Sequence, residues 1–295
     1  MKIIECVPNF SEGRDKEKGQ ALVNTAAAVQ GIKVLDFCMD ADHHRSVLTL
    51  IGPPDIIKEA CLMVCRQALA MIDMCEHKGA HPRIGAVDVV PFIPLGDADM
   101  SDAIRIAHDF GREFSKQFQL PVYFYGEAAL IPWRRDLSQI RKGGYESLKD
   151  RMQDRMWRPD VGPTLFNECA GITAVGARLP LIAFNINLAS DNLQLAQDIA
   201  GRIRHSGGGL PHVKAIGVLL GSRHVAQVSM NLTDYRTTSL RTVFDRVREA
   251  AREHGIDVLE SELIGLIPGD ALTDVTADYL KLREFSKQRI LESHF

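Results

Sequence analysis

The chain has 295 residues, of which 45% are hydrophobic and 25% charged, and its formal net charge is −3. This composition is typical of a soluble globular protein, and the length suits one large or two ordinary domains. The charge balance gives no reason to expect nucleic acid or a membrane surface as a partner. No apolar run reaches about 18 residues, and the start MKIIECVPNFSEG lacks a signal-peptide core, so we expect a cytoplasmic protein.

Apolar periodicity and turn residues predict strands and helices that alternate along most of the chain. The predicted strands cover residues 2–7, 32–37, 46–51, 84–92, 121–125, 181–188, 213–220, 224–232 and 258–267. The predicted helices cover residues 15–29, 55–74, 101–118, 190–205, 239–254 and the segment from 270 to the end. The predicted N-caps are Asp15, Ser101 and Ser190. The helix over 55–74 should bury the face formed by Ile56, Ala60, Met63, Gln67 and Ala70.

Residues 131–160 interrupt this pattern, because they are polar, charged and poor in strand formers. They are predicted to be an excursion of helical turns between two sheets. The fold class is therefore α/β with mixed sheets, in two α/β subdomains that span residues 1–178 and 179–295.

The stretch IDMCEHKGAHPRIGAVDVVPFIPL at residues 72–95 predicts a helix end, a sharply kinked loop and a strand. A loop between two buried elements can position groups for acid–base chemistry or for binding carboxylates. The alternative is a solvated basic connection, with His77 as a helix C-terminal residue. The basic residues of this loop are His77, Lys78, His81 and Arg83. In the strand that follows, Asp88 could orient a catalytic group or cap a neighbouring loop.

A second polar cluster, DADHHR at residues 40–45, superficially suggests a metal site. Adjacent residues rarely converge on one ion and no further ligand set is evident, so we predict no metal. None of the six cysteines forms a C-x-x-C pair, and we interpret them as reduced thiols. They are Cys6, Cys38, Cys61, Cys65, Cys75 and Cys169.

Strand alternation places amide side chains on one face of two predicted strands, opposite an apolar face. Asn185 and Asn187 share such a face in AFNINL, as do Gln227 and Asn231 in HVAQVSMNL. Such a face is either the wet side of a sheet or the lining of a polar substrate cleft.

Several long segments, in one fixed order, resemble the glutamate formiminotransferase family. They are ECVPNFSEGR, HKGAHPRIGAVDVVPFIPL, VYFYGEAA, PDVGPTLFNECAGITAVGAR, LIAFNINL and AQVSMNLTDY, and they run from about residue 5 to about residue 268. The family moves a formimino group from N-formiminoglutamate to tetrahydrofolate.

The resemblance implies two α/β halves whose sheets face each other across a substrate cleft, and a homodimer. It also implies tetrahydrofolate as co-substrate. Larger bifunctional relatives append a cyclodeaminase domain, whereas this chain ends at Phe295, so we expect the monofunctional form.

His81 matches the catalytic acid/base histidine of the family. A family aspartate near it corresponds to Asp40 or Asp42, with Asp36 still open, because the loop here differs from that of the animal enzymes. The resemblance and the residue chemistry suggest further substrate ligands at Arg45, Lys78, Arg83, Asn185, Asn187, Gln227 and Asn231.

The segment GPTLFNECAG matches the folate-binding segment of the family, although its Leu165, Asn167, Glu168 and Cys169 depart from the pattern. The predicted folate ligands are Gly162, Pro163, Thr164, Leu165, Phe166, Asn167, Glu168, Cys169, Ala170 and Gly171. The structural alternative is a crossover of small residues between the two halves.

Two other functions stay open at this point. Formyl transfer between 5-formyltetrahydrofolate and glutamate uses the same atoms and is not distinguishable by sequence. A non-catalytic folate-binding protein is the other, and the presence of His81 argues against it, because a binding module needs no general base.

Overall fold

The computed structural model describes residues 2–294, which divide into two compact units between Arg178 and Leu179. The first unit has one seven-stranded sheet and five α-helices among its described residues. Its strands are β1 (Lys2–Cys6), β2 (Asn9–Phe10), β3 (Lys33–Asp40), β4 (Arg45–Gly52), β5 (Val87–Gly96), β6 (Val122–Gly126) and β7 (Thr173–Ala177). Its helices are α1 (Lys16–Ala27), α2 (Pro54–Met71), α3 (Met100–Phe118), α4 (Leu137–Arg141) and α5 (Leu148–Arg151).

The first sheet is mixed. β3 and β4 form an antiparallel hairpin in which Asp40 lies opposite Arg45. β1 and β2 pair with both β4 and β5, and β7 lies between β5 and β6, parallel to each. The hairpin turn and the loop before β5 are tied together by the Ala80 N–H, which donates to the Asp42 carbonyl oxygen at 3.1 Å.

Helices α1 to α3 pack their apolar residues against one face of this sheet. The face predicted for α2 is largely wrong, because Met63 is 48% exposed while its neighbours Leu62 and Val64 are buried. α2 has apolar residues around much of its circumference, so periodicity alone allowed two registers. The α2 residues that are buried are Ile57, Ala60, Cys61, Leu62, Val64, Cys65 and Ala68.

The polar excursion covers the other face of the same sheet. Its short helical turns pack Ile140 and Leu148 against Tyr123 and Tyr125 of β6. The helical turns were predicted correctly, but their position between two sheets was wrong. They connect β6 to β7, a strand that the sequence analysis missed because TAVGA is rich in small residues.

The second unit contains β8 (Ile182–Leu188), α6 (Leu193–Ile203), β9 (Val213–Leu220), β10 (Val225–Leu232), α7 (Leu240–Arg252) and β11 (Val258–Ile264). The four strands form an antiparallel sheet in the order β11-β8-β10-β9. This βαββαβ arrangement is ferredoxin-like. A mixed α/β fold with two separate sheets is therefore confirmed.

Three local predictions need correction. Asp99, not Ser101, caps α3, since it forms a reciprocal capping box with Asp102, and Asn192, not Ser190, caps α6. β3 continues through Met39 and Asp40, beyond the strand predicted at residues 32–37.

The α-helix predicted from residue 270 onward is also wrong within the described residues. The helical elements there are short 3₁₀ turns, and left-handed backbone at Lys281 and Glu284 cannot continue a right-handed helix. The last residue of that prediction, Phe295, lies outside the described residues. Among residues 2–294, no helix has the length and apolarity that crossing a bilayer requires.

Candidate active site

His77 is a fixed structural residue of the loop before β5. α2 ends at Met71, so the predicted position of His77 at a helix C-terminus is wrong. Its Nε2 lies 2.8 Å from the His44 carbonyl oxygen, and its Nδ1 accepts a hydrogen bond from Arg83 Nε at 3.0 Å. These partners require a neutral ring with hydrogen on Nε2. Burial lowers the pKa of His77, which favours the same neutral form.

His81 is held neutral beside Arg45, the first residue of β4. Arg45 Nη1 lies 2.6 Å from His81 Nε2, and because a guanidinium only donates, this ring nitrogen is the acceptor. Burial, and then the charges of Arg45 and Arg141, hold the pKa of His81 well below its usual value. Burial and Arg141 lower the pKa of Arg45 itself only to about 10, so Arg45 stays charged at neutral pH. The arrangement presents an unprotonated imidazole with a positively charged neighbour.

His43 and Asp40 form an oriented pair next to His81. The Asp40 carboxylate contacts His43 Nδ1 at 2.9 Å and accepts from the His43 backbone N–H at 2.8 Å. Burial acts against ionisation of Asp40, yet these hydrogen bonds from His43 lower its pKa overall. The buried His43 ring meets His81 edge to face at 5.9 Å between centroids, and its Nε2 has no hydrogen-bond partner among residues 2–294.

The Asp40 side chain therefore belongs to one cluster with His43, His81 and Arg45. Asp42 is half-buried, and its carbonyl oxygen joins the hairpin turn to the loop before β5. Asp36 accepts a hydrogen bond from the Cys38 thiol at 3.0 Å, farther back along β3. The Asp40 side chain contacts His43, which packs on His81.

Arg141 is a cluster residue that the sequence analysis missed. It comes from α4, in the polar excursion, and forms an ion pair with Asp88. Asp88 is 1% exposed and also accepts a hydrogen bond from the Ile84 backbone N–H at 2.9 Å. It therefore caps the loop, which is one of its two predicted roles. Arg141 affects the pKa values of both Arg45 and His81, so two guanidinium groups act on one histidine. No local signal distinguished Arg141 from the other basic residues of the excursion.

The other two cations of the loop differ in their surroundings. The Lys78 side chain is exposed, while its carbonyl oxygen lies 3.0 Å from His44 Nδ1. Arg83 forms hydrogen bonds of 2.9 and 2.6 Å to the two carboxylate oxygens of Glu146, and it also donates to His77. Arg83 thus fastens the loop to the excursion.

The predicted folate segment is a mostly exposed loop between two backbone positions that favour glycine. Gly162 has a φ of 95° and Gly171 a φ of 69°, in the left-handed region. Phe166 packs against Tyr145 with ring centroids 5.3 Å apart, whereas Leu165 is 80% exposed. A shallow depression beside the segment is lined by Gly162, Pro163, Val161, Arg112, Ser115, Lys116 and Gln119.

The remaining residues of the segment form local contacts. Asn167 accepts from the backbone N–H groups of Ala170 and Gly171 at 2.9 and 2.7 Å, and Glu168 contacts Lys149 at 2.6 Å. Thr164, Asn167, Glu168 and Cys169 are exposed.

The four amide residues lie in the second unit, where Asn187 and Gln227 hydrogen-bond to each other. Asn187 donates to Glu260 at 3.1 Å and accepts from Gln227 at 2.9 Å, and Gln227 also donates to Glu262 at 2.6 Å. Asn187 and Gln227 are fully buried, and Asn185 is 4% exposed. Asn231, by contrast, is exposed. The alternation was predicted correctly, since the opposite faces of β8 and β10 enter the core of this unit.

Two family models match almost the whole chain. The formiminotransferase domain, N-terminal subdomain, matches residues 3–178, and the formiminotransferase domain matches residues 183–293. The chain belongs to the formiminotransferase family. The resemblance inferred from the sequence segments is therefore confirmed.

Curated members of the family align with both units. The glutamate formimidoyltransferase of Streptococcus pyogenes is 42% identical over 99% of this chain and 98% of its own length. The glutamate formimidoyltransferase of Thermoplasma acidophilum is 42% identical over 99% of this chain and 97% of its own length. The formimidoyltransferase-cyclodeaminase of Mus musculus is 42% identical over 94% of this chain. That relative is longer, and the alignment covers 52% of its length.

Proposed function

We propose that this chain is a transferase that moves the formimino group of N-formimino-L-glutamate to tetrahydrofolate, giving 5-formiminotetrahydrofolate and glutamate. Identity of 42% with two glutamate formimidoyltransferases, over almost the full length of each, supports this activity. The observation that carries the chemistry is the neutral His81, whose Nε2 lies 2.6 Å from Arg45. A binding module has no need of an unprotonated imidazole prepared in this way.

His81 acts as the general acid/base. The ring nitrogen at position five of tetrahydrofolate attacks the formimino carbon and loses a proton, and the glutamate nitrogen gains one as it leaves. A neutral imidazole can accept the first proton and donate it in the second step, so no covalent enzyme intermediate is needed. Before His81 accepts a proton, Arg45 must release Nε2, and a substrate carboxylate would draw the guanidinium away.

Asp40 is the carboxylate that assists His81, and it does so through His43. An ionised Asp40 orients the His43 ring, which packs edge-on against His81. Asp42 holds the two loops together through its backbone. Arg45 and Arg141 supply the positive charge for a substrate carboxylate, and the exposed Lys78 is a further candidate.

Tetrahydrofolate is the co-substrate, and residues 162–171 are its predicted binding segment. Arg112 and Lys116 beside Gly162 and Pro163 offer cations for the folate carboxylates. Residues 1–178 and 179–295 are the two subdomains of the transferase. Asn185, Asn187, Gln227 and Asn231 are retained as candidate substrate ligands of the second one.

We further propose a homodimer, as the family resemblance implies, and a cytoplasmic protein whose catalysis uses no metal. Light scattering on the purified chain should give twice the mass of one chain. A monomer at micromolar concentration would contradict the dimer.

The proposed activity is tested by adding N-formimino-L-glutamate and tetrahydrofolate to the purified chain and measuring 5-formiminotetrahydrofolate and glutamate. A parallel reaction contains 5-formyltetrahydrofolate and glutamate. Turnover in the first reaction that exceeds the second supports formimino transfer. Faster turnover in the second would assign formyl transfer, and folate binding without turnover in either would leave only a binding protein.

A further inference from the structure

Two exposed cysteines and an aspartate converge at the start of the loop that follows α2. One carboxylate oxygen of Asp73 and the sulfurs of Cys75 and Cys169 all lie within 4.8 Å of one another. Cys75 follows the end of α2, whereas Cys169 belongs to the predicted folate segment. The Met74 backbone N–H donates to the Cys169 carbonyl oxygen at 2.9 Å, which holds the two segments in register.

The three side chains already interact around a common point. The Asp73 carboxylate accepts a hydrogen bond from the Cys75 backbone N–H at 2.9 Å and further hydrogen bonds from the thiols of Cys75 and Cys169. A divalent cation bound at this point would replace the two thiol protons.

Two sulfur ligands and one carboxylate oxygen match the ligand chemistry of thiophilic metals. Zn²⁺ binds cysteine thiolates and carboxylates in tetrahedral geometry, and three protein ligands leave the fourth position to water or another ligand. Soft sulfur ligands disfavour Mg²⁺ and Ca²⁺, which prefer oxygen. Since all three residues are exposed, an ion can reach them without local unfolding.

We propose that Asp73, Cys75 and Cys169 bind a divalent cation of the Zn²⁺ class. Two metal–sulfur bonds and one metal–oxygen bond form, two S–H bonds break, and two protons pass to solvent. The bound ion would join the end of α2 to the segment at 162–171 and restrict that segment. The proposal is independent of the transfer chemistry at His81.

Among the other cysteines, Cys6, Cys61 and Cys65 are buried in the core of the first unit. Cys38 is half-buried on β3 and contacts Asp36. Cys38 is therefore a matched control, because its substitution removes one partly accessible thiol and leaves the proposed cluster intact.

The test is a Co²⁺ titration of the reduced full-length chain under anaerobic conditions, with the free thiols counted first. The parent should bind about one equivalent with a thiolate-to-cobalt charge-transfer band, release about two protons per ion near neutral pH, and lose the band when Zn²⁺ is added. Cys75→Ser and Cys169→Ser should each weaken binding by at least about tenfold. Asp73→Asn should weaken binding but keep the band, and Cys38→Ser should behave as the parent.

Circular dichroism confirms that each variant is folded before titration. No charge-transfer band in a parent whose thiols are free overturns the proposal. A band that persists unchanged in both Cys75→Ser and Cys169→Ser, or that disappears in Cys38→Ser, overturns it as well. Formimino transfer is assayed without added metal, so its outcome does not depend on the cobalt titration. Failure of the metal proposal is therefore distinct from failure of the proposed activity.

Discussion

At the scale of single residues, the two histidines of the HKGAHPR loop have different surroundings. Both ring nitrogens of His77 are engaged by groups that hold the loop. His81 instead offers Nε2 to the guanidinium of Arg45, which lies at the end of a long side chain. The neutral state of both rings follows from their shielding from water, but only His81 can exchange its partner without dismantling the loop.

We expect His81→Ala to fold normally and to lose turnover by roughly 100- to 10,000-fold, the usual contribution of one acid/base group. His77→Ala should keep a turnover number within a few-fold of the parent, but it should lower the free energy of unfolding by about 1–3 kcal/mol, because Arg83 and the His44 carbonyl lose a buried partner. Steady-state kinetics and urea unfolding of both variants provide the comparison. If His77→Ala is inactive while folded and His81→Ala is active, the base has been assigned to the wrong histidine.

The pH profile of kcat/KM should also reflect the surroundings of His81. The base works unprotonated, and its pKa lies well below the usual 6.5, so the acid limb of the profile should lie below pH 6.5. Arg45→Gln removes a positive charge beside the ring and should move this limb to higher pH. Lys78→Gln is the control, because Lys78 is not among the main causes of the lowered pKa of His81. A parent limb at or above pH 6.5, or no movement in Arg45→Gln, would contradict this assignment.

At the scale of elements, β8, β10 and β11 carry a buried polar network on one sheet face. Asn187 on β8 connects Gln227 on β10 with Glu260 on β11, and Glu260 in turn pairs with Arg223 at 2.6 Å. Hydrogen bonds in a low-dielectric setting are strong, although Gln227 Oε1 has no hydrogen-bond partner among residues 2–294. The bonded members of the network therefore have a structural role, whatever their role in binding.

Asn187→Ala should consequently reduce the free energy of unfolding by about 1–3 kcal/mol, since it removes one hydrogen bond from each of Gln227 and Glu260 and truncates a fully buried side chain. From the sequence alone, an Asn187 that lines a substrate cleft would be expected mainly to raise the Michaelis constant. Asn231→Ala, at an exposed position on β10, is the matched control and should change stability by less than about 0.5 kcal/mol. Denaturant unfolding compares the two. Parent-like stability in Asn187→Ala together with a raised Michaelis constant would restore the original expectation.

At the scale of the whole molecule, each unit has its own hydrophobic core. The clusters of the first unit contain only residues up to Ala177, and the cluster of the second unit contains only residues from Ile182 onward. Since burial of apolar surface is the main source of stability, each unit has the means to fold independently.

A fragment of residues 179–295 should therefore fold alone with a cooperative transition and a native-like circular dichroism spectrum. Its four antiparallel strands and two helices form a closed topological unit without a strand from the first sheet. Thermal and urea unfolding test this directly. A fragment that unfolds without cooperativity, while the full chain unfolds cooperatively, would show that the second core depends on the first unit.

The sequence alone determined what depends on local chemistry. Asp15 precedes a periodic run and caps α1, and period-two alternation in β8 and β10 placed their amides on one face. Long segment matches identified the family. Where local signals competed, sequence failed: Asp99 outcompeted Ser101 as a cap because its carboxylate completes a reciprocal pair with Asp102.

Only the tertiary structure decided which distant residues meet. Arg45 reaches His81 because the β3–β4 hairpin lies beside the loop before β5, and Arg141 joins them from the excursion through Asp88. Cys75 and Cys169 converge because two loops pack against each other, although neither has a partner motif in sequence. The physical reason is that periodicity and capping act over a few residues, whereas these contacts depend on strand order and on the packing of side chains from separate elements.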